Sequence, residues 1–422
     1  VDDSRPNVAI VAWQALPAID PRRGDRVGGM ETAAWNFARG LVAEGRFAPT
    51  LVFRAPRRPT RSQLEGVRLE ASVERFAAMR QRVSDSIRWT PRCRIVDWRF
   101  ALVWEVPLLA MTWPVRRRDP PPLAPDPRLL RLHPDLWIAM GVNQAAAGVL
   151  ATARRQHRPG IVMIRSNADL DPRFAGETPF QTPYGESSEI CKEVLRRADA
   201  IICQTEHQQR LLQTHFHRTG DLVRNPIDLA AWRHAAVHSH TARTDAQPYV
   251  AWVGRYDDFH KRPARAFALA RRCPELRFRM IINPFSTRIE TRLKQARPAN
   301  VELIDYLPHD AMPRFLAEAR LLLSTSAAEY EGFPNILLQA AAVGCPIVYL
   351  EDFDRFLERS GAGIVCGGDT AAAEEALHRV WQGRLPIDEG AVQQYLAEQH
   401  GQAAVRTRLA DVLEGVRRRA AS

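Results

Sequence analysis

Short apolar runs alternate along the chain with longer segments whose apolar residues recur every three or four positions. The runs have the length of strands buried on both faces, and the longer segments have the period of amphipathic helices. Residues 7–13 form the first run. Gly28 and Gly29 then open a helix with Met30, Ala33, Ala34, Phe37 and Leu41 on one face, and residues 49–53 supply the next strand. Strand, glycine loop, helix and strand make a βαβ unit. The alternation resumes with a strand over 136–140, a helix from about 143 to 155, and strands over 161–164 and 199–203. Further strands are expected near 249–253, 277–282, 301–304, 320–324, 346–350 and 363–366, with helices between them and beyond about 388. A chain of 422 residues exceeds one compact core, so two α/β domains follow. The polar stretch 234–248 reads as an exposed linker.

The stretch 329–350, EYEGFPNILLQAAAVGCPIVYL, carries the most chemistry. An acidic loop ends in Gly332-Phe333-Pro334-Asn335, and an apolar helix follows at once. Backbone N–H groups at a helix start lie at the positive end of its dipole and can hold an anion or sugar hydroxyls. Glu331 is thus fixed beside a helix start at the edge of an α/β sheet, where ligands of such sheets collect. A second element, 249–263, reads as a strand ending at Gly254-Arg255, followed by a loop with Lys261. Lys261 is one of only three lysines among 59 basic residues, the others being Lys192 and Lys294.

Together these residues resemble the signature of the retaining GT-B glycosyltransferases of family four, group 1. That family carries Glu, seven residues, Glu within an EGFG…LLEA…G.PVV pattern, and a "VGR…K" element. The resemblance implies a GT-B fold, with two Rossmann-like parallel-sheet domains facing a central cleft. The domains would be 1–228, on the acceptor side, and 229–395, binding the nucleotide sugar, with 396–422 a helix crossing back to the first. It implies that Arg255 and Lys261 neutralise the departing diphosphate and that Glu331 orients the donor sugar. Main-chain groups near Phe333, Pro334 and Asn335 would assist. Gln339 stands where the second Glu binds the ribose and offers one amide oxygen in its place. Gly28 and Gly29 match the "GG.E" loop near the donor phosphates, and Leu307 matches the "GYLP" region that meets the nucleobase. No His stands at 141–143 or 165–169, where the family often has one. Ser166, Asn167 and Asp169 follow a strand's carboxyl end, as acceptor or sugar contacts or as a turn and helix cap.

The reaction implied is retaining transfer from a UDP- or GDP-sugar to a hydroxyl of a glycan or lipid-linked acceptor, in bacterial polysaccharide or glycolipid assembly. Attack would come from the leaving group's own face. No metal is required, since the Arg–Lys pair replaces it, and Asp257-Asp258 would shape that pair. The alternatives are a non-catalytic GT-B homologue and a GT-B sugar-nucleotide epimerase. No GxGxxG follows the glycine loop, which disfavours a nicotinamide site.

Composition narrows the partners. The six cysteines (93, 191, 203, 273, 345 and 366) are scattered and read as reduced thiols of a cytoplasmic protein. VDDSRPNVAIVAW has no basic n-region or apolar core, so no secretory signal is expected. The net charge of +11 is local, because residues 54–118 hold 15 Arg against 6 Asp and Glu. A nucleic-acid partner is disfavoured, since no recognition motif is present. Within this basic insert, residues 100–115 are apolar, contain Trp104 and Trp113, and precede Arg116–Arg118. Two readings stand: a buried strand and helix, or a surface (98–118) docking on anionic lipid at the cytoplasmic face of the inner membrane.

Overall fold

The computed structural model describes residues 4–20, 29–74, 76–88, 94–95, 98–112, 120–182, 185–239 and 247–421. The chain begins β1 (Asn7–Val11), α1 (Leu16–Ile19), α2 (Gly29–Glu44), β2 (Ala48–Ala55), β3 (Gln63–Leu64) and β4 (Val67–Val73). Helix α3 (Ala77–Ser86), the small hairpin β5 (Ile87–Arg88) and β6 (Arg94–Ile95), and α4 (Leu102–Met111) follow. The α/β alternation returns with β7 (Leu136–Met140), α5 (Gln144–Arg155), β8 (Gly160–Met163), α6 (Ser188–Arg197), β9 (Ala200–Cys203), α7 (Glu206–Phe216) and β10 (Asp221–Leu222). These build an eight-stranded sheet in the order β10-β9-β8-β7-β1-β2-β4-β3, in which β3 runs antiparallel to β4 and β1 pairs in parallel with both its neighbours.

The remaining elements are α8 (Leu229–Ser239), β11 (Val250–Arg255), α9 (Pro263–Arg272), β12 (Phe278–Asn283), α10 (Thr287–Gln295), β13 (Val301–Ile304), α11 (Met312–Glu318) and β14 (Leu321–Ser324). After them come α12 (Asn335–Ala342), β15 (Ile347–Tyr349), α13 (Phe356–Ser360), β16 (Gly363–Val365), α14 (Thr370–Trp381), α15 (Glu389–Gln399) and α16 (Gln402–Ala421). They form a six-stranded parallel sheet in the order β13-β12-β11-β14-β15-β16. Two Rossmann-like sheets flanked by helices are the GT-B architecture expected from the sequence. By compactness the chain falls into one unit of 1–163, 178–201 and 410–422 and another of 164–177 and 202–409.

The strands of the second sheet lie within a residue or two of their expected positions because each is a continuous buried run. Val250, Trp252, Phe278, Met280, Leu321, Leu323 and Val348 face one core cluster, and Tyr249, Ala251, Ile281, Leu322, Ile347 and Tyr349 face another. A parallel sheet with helices on both faces requires this two-sided burial. Local signals work as well: Asn143 caps α5 by accepting a hydrogen bond from the N–H of Ala146 (2.9 Å). The five described cysteines are buried, and none of them is in a disulfide.

One expectation needs correcting, and one element was not expected. Residues 234–239 are not linker; they complete α8, where Trp232 and Ala236 are buried four positions apart and fix the helix against the core. The rest of that stretch, 240–246, lies outside the described residues. The insert also contains an unforeseen sheet strand, β4, which pairs in parallel with β2 from Thr50↔Arg68 to Ala55↔Val73.

Gly363 opens β16 directly opposite Ile347, and a Cβ there would sit 1.9 Å from the Ile347 carbonyl oxygen. Gly363→Ala is expected to destabilise the protein by about 1–3 kcal/mol, measured by denaturant unfolding.

Candidate active site

In the second sheet the strand order reverses between β11 and β14: β12 and β13 extend one way, β15 and β16 the other. The loops leaving the carboxyl ends of these two neighbours must diverge, and the crevice that results is where open α/β sheets bind ligands. The candidate residues come from those two loops.

The first loop is organised by Asp257, which is buried. Its Oδ1 accepts from the N–H groups of Phe259 (2.8 Å) and His260 (3.1 Å), while Oδ2 meets Arg255 Nε (3.0 Å) and His260 Nδ1 (3.1 Å). One carboxylate thereby folds the turn and holds the Arg255 guanidinium, which also lies 4.2 Å over the Phe285 ring. Asp258 turns away to pair with Arg292. Arg262 takes a left-handed conformation (φ 48°), and its side chain donates to the carbonyls of Thr325 and Ser326 (2.9 Å each). The first loop is thus tied to the second. The Thr325 hydroxyl adds to the tie, donating to the Lys261 carbonyl (2.7 Å) and accepting from Trp252 Nε1 (3.0 Å).

The second loop carries Glu331. Its Oε1 contacts Lys261 Nζ, and both side chains are largely buried. Its other oxygen, Oε2, is buried with no hydrogen-bond partner among the described residues. Desolvated carboxylate oxygens are normally satisfied, so this one marks a place for an incoming donor. At Gly332 a Cβ would stand 2.5 Å from the Arg165 carbonyl oxygen, so only glycine permits the approach. Pro334 begins α12 without a side-chain cap, which leaves first-turn N–H groups open to an anion.

The other sequence candidates divide. Asn335 accepts from Asn225 Nδ2 (2.8 Å), and Gln339 lies half-buried one turn further along the same helix. The Phe333 side chain belongs to the core, 5.2 Å from the rings of both Phe356 and His400, so only its main chain can meet a ligand. Leu307 is half-buried against that core. Ser166 and Asp169 form a capping box, Asp169 accepting from the N–H groups of Arg165 (2.7 Å) and Ser166 (3.1 Å). The Ser166 hydroxyl donates to the Tyr330 carbonyl, and Asn167 Nδ2 donates to the Ala328 carbonyl (2.6 Å). These residues therefore hold the acidic loop in place. Gly29 starts α2, and Gly28 lies outside the described residues.

Sequence reasoning missed a cavity of about 590 Å³ beside Tyr330, lined by Asp171, Arg173, His207, Arg210, Asp352 and Asp354 among others. It includes none of Arg255, Lys261 and Glu331. Burial, then the neighbouring Glu358 and Asp354, raises the Asp352 carboxyl above its ordinary range. Asp354 is also spoken for, binding the buried Arg224 guanidinium at 2.6 Å. Nothing local in the sequence pairs these positions; they converge through tertiary folding. Among the described residues no group of three or more His, Cys, Asp and Glu is arranged to hold a metal ion.

Residues 247–382 match the family model described as glycosyl transferases group 1. No curated protein sequence matches the chain. Sucrose-phosphate synthase from Thermosynechococcus elongatus superposes with a TM-score of 0.67 at 14% identity, over 99% of this chain and 100% of that one. A trehalose-6-phosphate synthase described in terms of glycosyl transfer with retention gives 0.62 at 11% identity, over 97% and 99%. TarM of S. aureus, solved with UDP, gives 0.61 at 10%, over 96% and 99%. The resemblance drawn from the motifs is borne out. The chain has the GT-B fold, and its residues 247–382 match the group 1 glycosyltransferase model.

Two buried histidines around this site give the fold a pH signature. Burial pushes His260 down to about 4 and His400 to about 3, against an ordinary value of 6.5. His400 Nδ1 faces the Asn225 carbonyl oxygen (3.0 Å), which only accepts, so the neutral ring carries its proton there. The unfolded chain protonates these rings before the folded one does. Their contribution is complete above about pH 6.5 and is lost as pH falls towards 4. Each histidine is expected to steepen the loss by about 1.4 kcal/mol per pH unit, and His400→Gln should remove one such increment from unfolding curves taken between about pH 6 and 4.5.

Proposed function

We propose that this chain is a retaining glycosyltransferase moving a sugar from a UDP- or GDP-linked donor to a hydroxyl of a glycan or lipid-linked acceptor, at the cytoplasmic side of a bacterial membrane. The observation carrying the proposal is the contact of Lys261 with Glu331, which joins the loops that follow β11 and β14. The match to the group 1 family model over 247–382 supports it. So does the retaining transfer attributed to a structure of the same fold.

In this reading the donor diphosphate lies against Arg255, Lys261 and the open N–H groups of α12. Charge on the phosphate oxygen grows as the bond from the anomeric carbon breaks, and fixed cations stabilise that growth without reorganising. Glu331 gives one oxygen to Lys261 and presents the other to a sugar hydroxyl. The acceptor oxygen bonds to the anomeric carbon on the face the diphosphate leaves, and its proton passes to the departing phosphate oxygen. Gln339 accepts from the ribose. The second reading, a homologue that binds donor without transferring, is favoured by Gln339 in place of a carboxylate.

Lys261→Ala is expected to cut turnover by roughly a hundredfold or more. A loss below about threefold would exclude the role assigned to Lys261. Radiolabelled UDP- and GDP-sugars incubated with and without bacterial lipid extract separate the readings. Acceptor-dependent product supports transfer, donor conversion without acceptor indicates an epimerase, and retention of unchanged donor indicates a binder.

A further inference from the structure

The helix α4 has its polarity reversed. Its inward face, Leu102, Glu105, Val106 and Leu109, packs with Val83 and Ile87 of the α3 arm. The only charge on the helix, Glu105, lies on that face at 1% exposure. There its Oε1 accepts from Arg82 Nη2 (2.6 Å) and Nε (3.1 Å). The outward face, Val103, Trp104, Pro107, Ala110 and Met111, is exposed and wholly apolar. A water-facing helix normally places its charges outward and its apolar stripe inward.

Nine large hydrophobic side chains are exposed among the described residues, and six of them lie between 95 and 111: Ile95, Trp98, Phe100, Val103, Trp104 and Met111. Phe100 is 82% and Trp98 64% exposed. Exposed apolar side chains concentrated in so short a segment mark an interaction site. The arm is also cationic, since residues 76–112 hold six Arg against three acidic residues and Arg116–Arg118 follow in the sequence.

We propose that α4 and its flanking residues form a membrane-docking surface that inserts Trp98, Phe100, Trp104 and Met111 at the headgroup boundary of an anionic bilayer. Indole and phenyl rings favour that depth, and guanidinium groups pair with lipid phosphates beside them. A ten-residue helix is about 15 Å long, half of what a ~30 Å hydrocarbon core requires, so α4 would lie in the interface. No helix of the described residues is long and apolar enough to cross a membrane. A second copy of the chain is the poorer occupant, because like-charged arms would be brought face to face. The inference stands independently of the glycosyl-transfer reading.

The test is co-sedimentation of the full chain with vesicles of phosphatidylcholine alone and of phosphatidylcholine containing phosphatidylglycerol. The wild type is expected to bind the anionic vesicles at least tenfold more tightly than the neutral ones, and less tightly as salt rises. A Trp98→Ser, Phe100→Ser, Trp104→Ser variant should lose at least tenfold of that binding, while Trp104→Phe retains it. Because the three side chains face solvent, thermal unfolding and donor binding of the triple variant should match the wild type, which separates failed docking from failed folding or catalysis. Absence of anionic-vesicle binding, or equal binding by the triple variant, overturns the proposal. So does a wild-type dimer that the triple variant converts to monomer, which would assign the face to self-association.

Discussion

Lys261 and Glu331 stand 70 positions apart in the chain and meet because β11 and β14 are neighbours in the sheet. Everything assigned to the site depends on that adjacency. A buried ammonium and a buried carboxylate each cost much to desolvate alone, and each becomes tolerable only with the other at hand. Their meeting fixes the relative height of two loops, and with them the placement of Arg255 and the start of α12. Removing either partner would leave the remaining charge uncompensated, so the pair is structural as well as chemical.

The two loops are heavily braced. Asp257 uses both oxygens to hold its own turn and the Arg255 guanidinium. The acidic loop is gripped through its carbonyls by Ser166 and Asn167 and through the Ala328 N–H by Glu351 (2.7 Å). Phe259 stacks on Tyr330 with ring centroids 3.8 Å apart, joining the tips of the two loops. Such bracing fixes the orientation of the loop side chains before any ligand arrives. It is also why the capping residues Ser166 and Asp169 have little hydrogen-bonding capacity left for an acceptor.

Much of this was legible in the sequence, for identifiable reasons. Buried parallel strands are continuous apolar runs, so β11 to β16 could be placed closely. The glycine before Arg255 and the Gly-Phe-Pro-Asn turn announce themselves through local backbone demands. What escaped was long-range or compensated locally. Phe333 looks like a ligand contact in a motif, yet its ring completes a core with Phe356 and His400. The end of α8 hides in a polar stretch because few apolar residues, Trp232 and Ala236 among them, anchor the helix. The strand β4, VRLEASV, carries charges that mask its alternation. The cavity beside Tyr330 draws on four separate segments, and no spacing rule joins Asp171, His207, Tyr330 and Asp352.

The choice of ammonium over guanidinium at position 261 has its own consequence. In a chain that uses arginine almost everywhere, this cation is a point charge that engages one oxygen of Glu331 and leaves its twin bare. A planar fork would clasp both oxygens at once and silence the carboxylate. The scarce residue type is therefore what keeps half of an anion unspent, and an exchange that conserves charge at this position would not conserve what the charge leaves available.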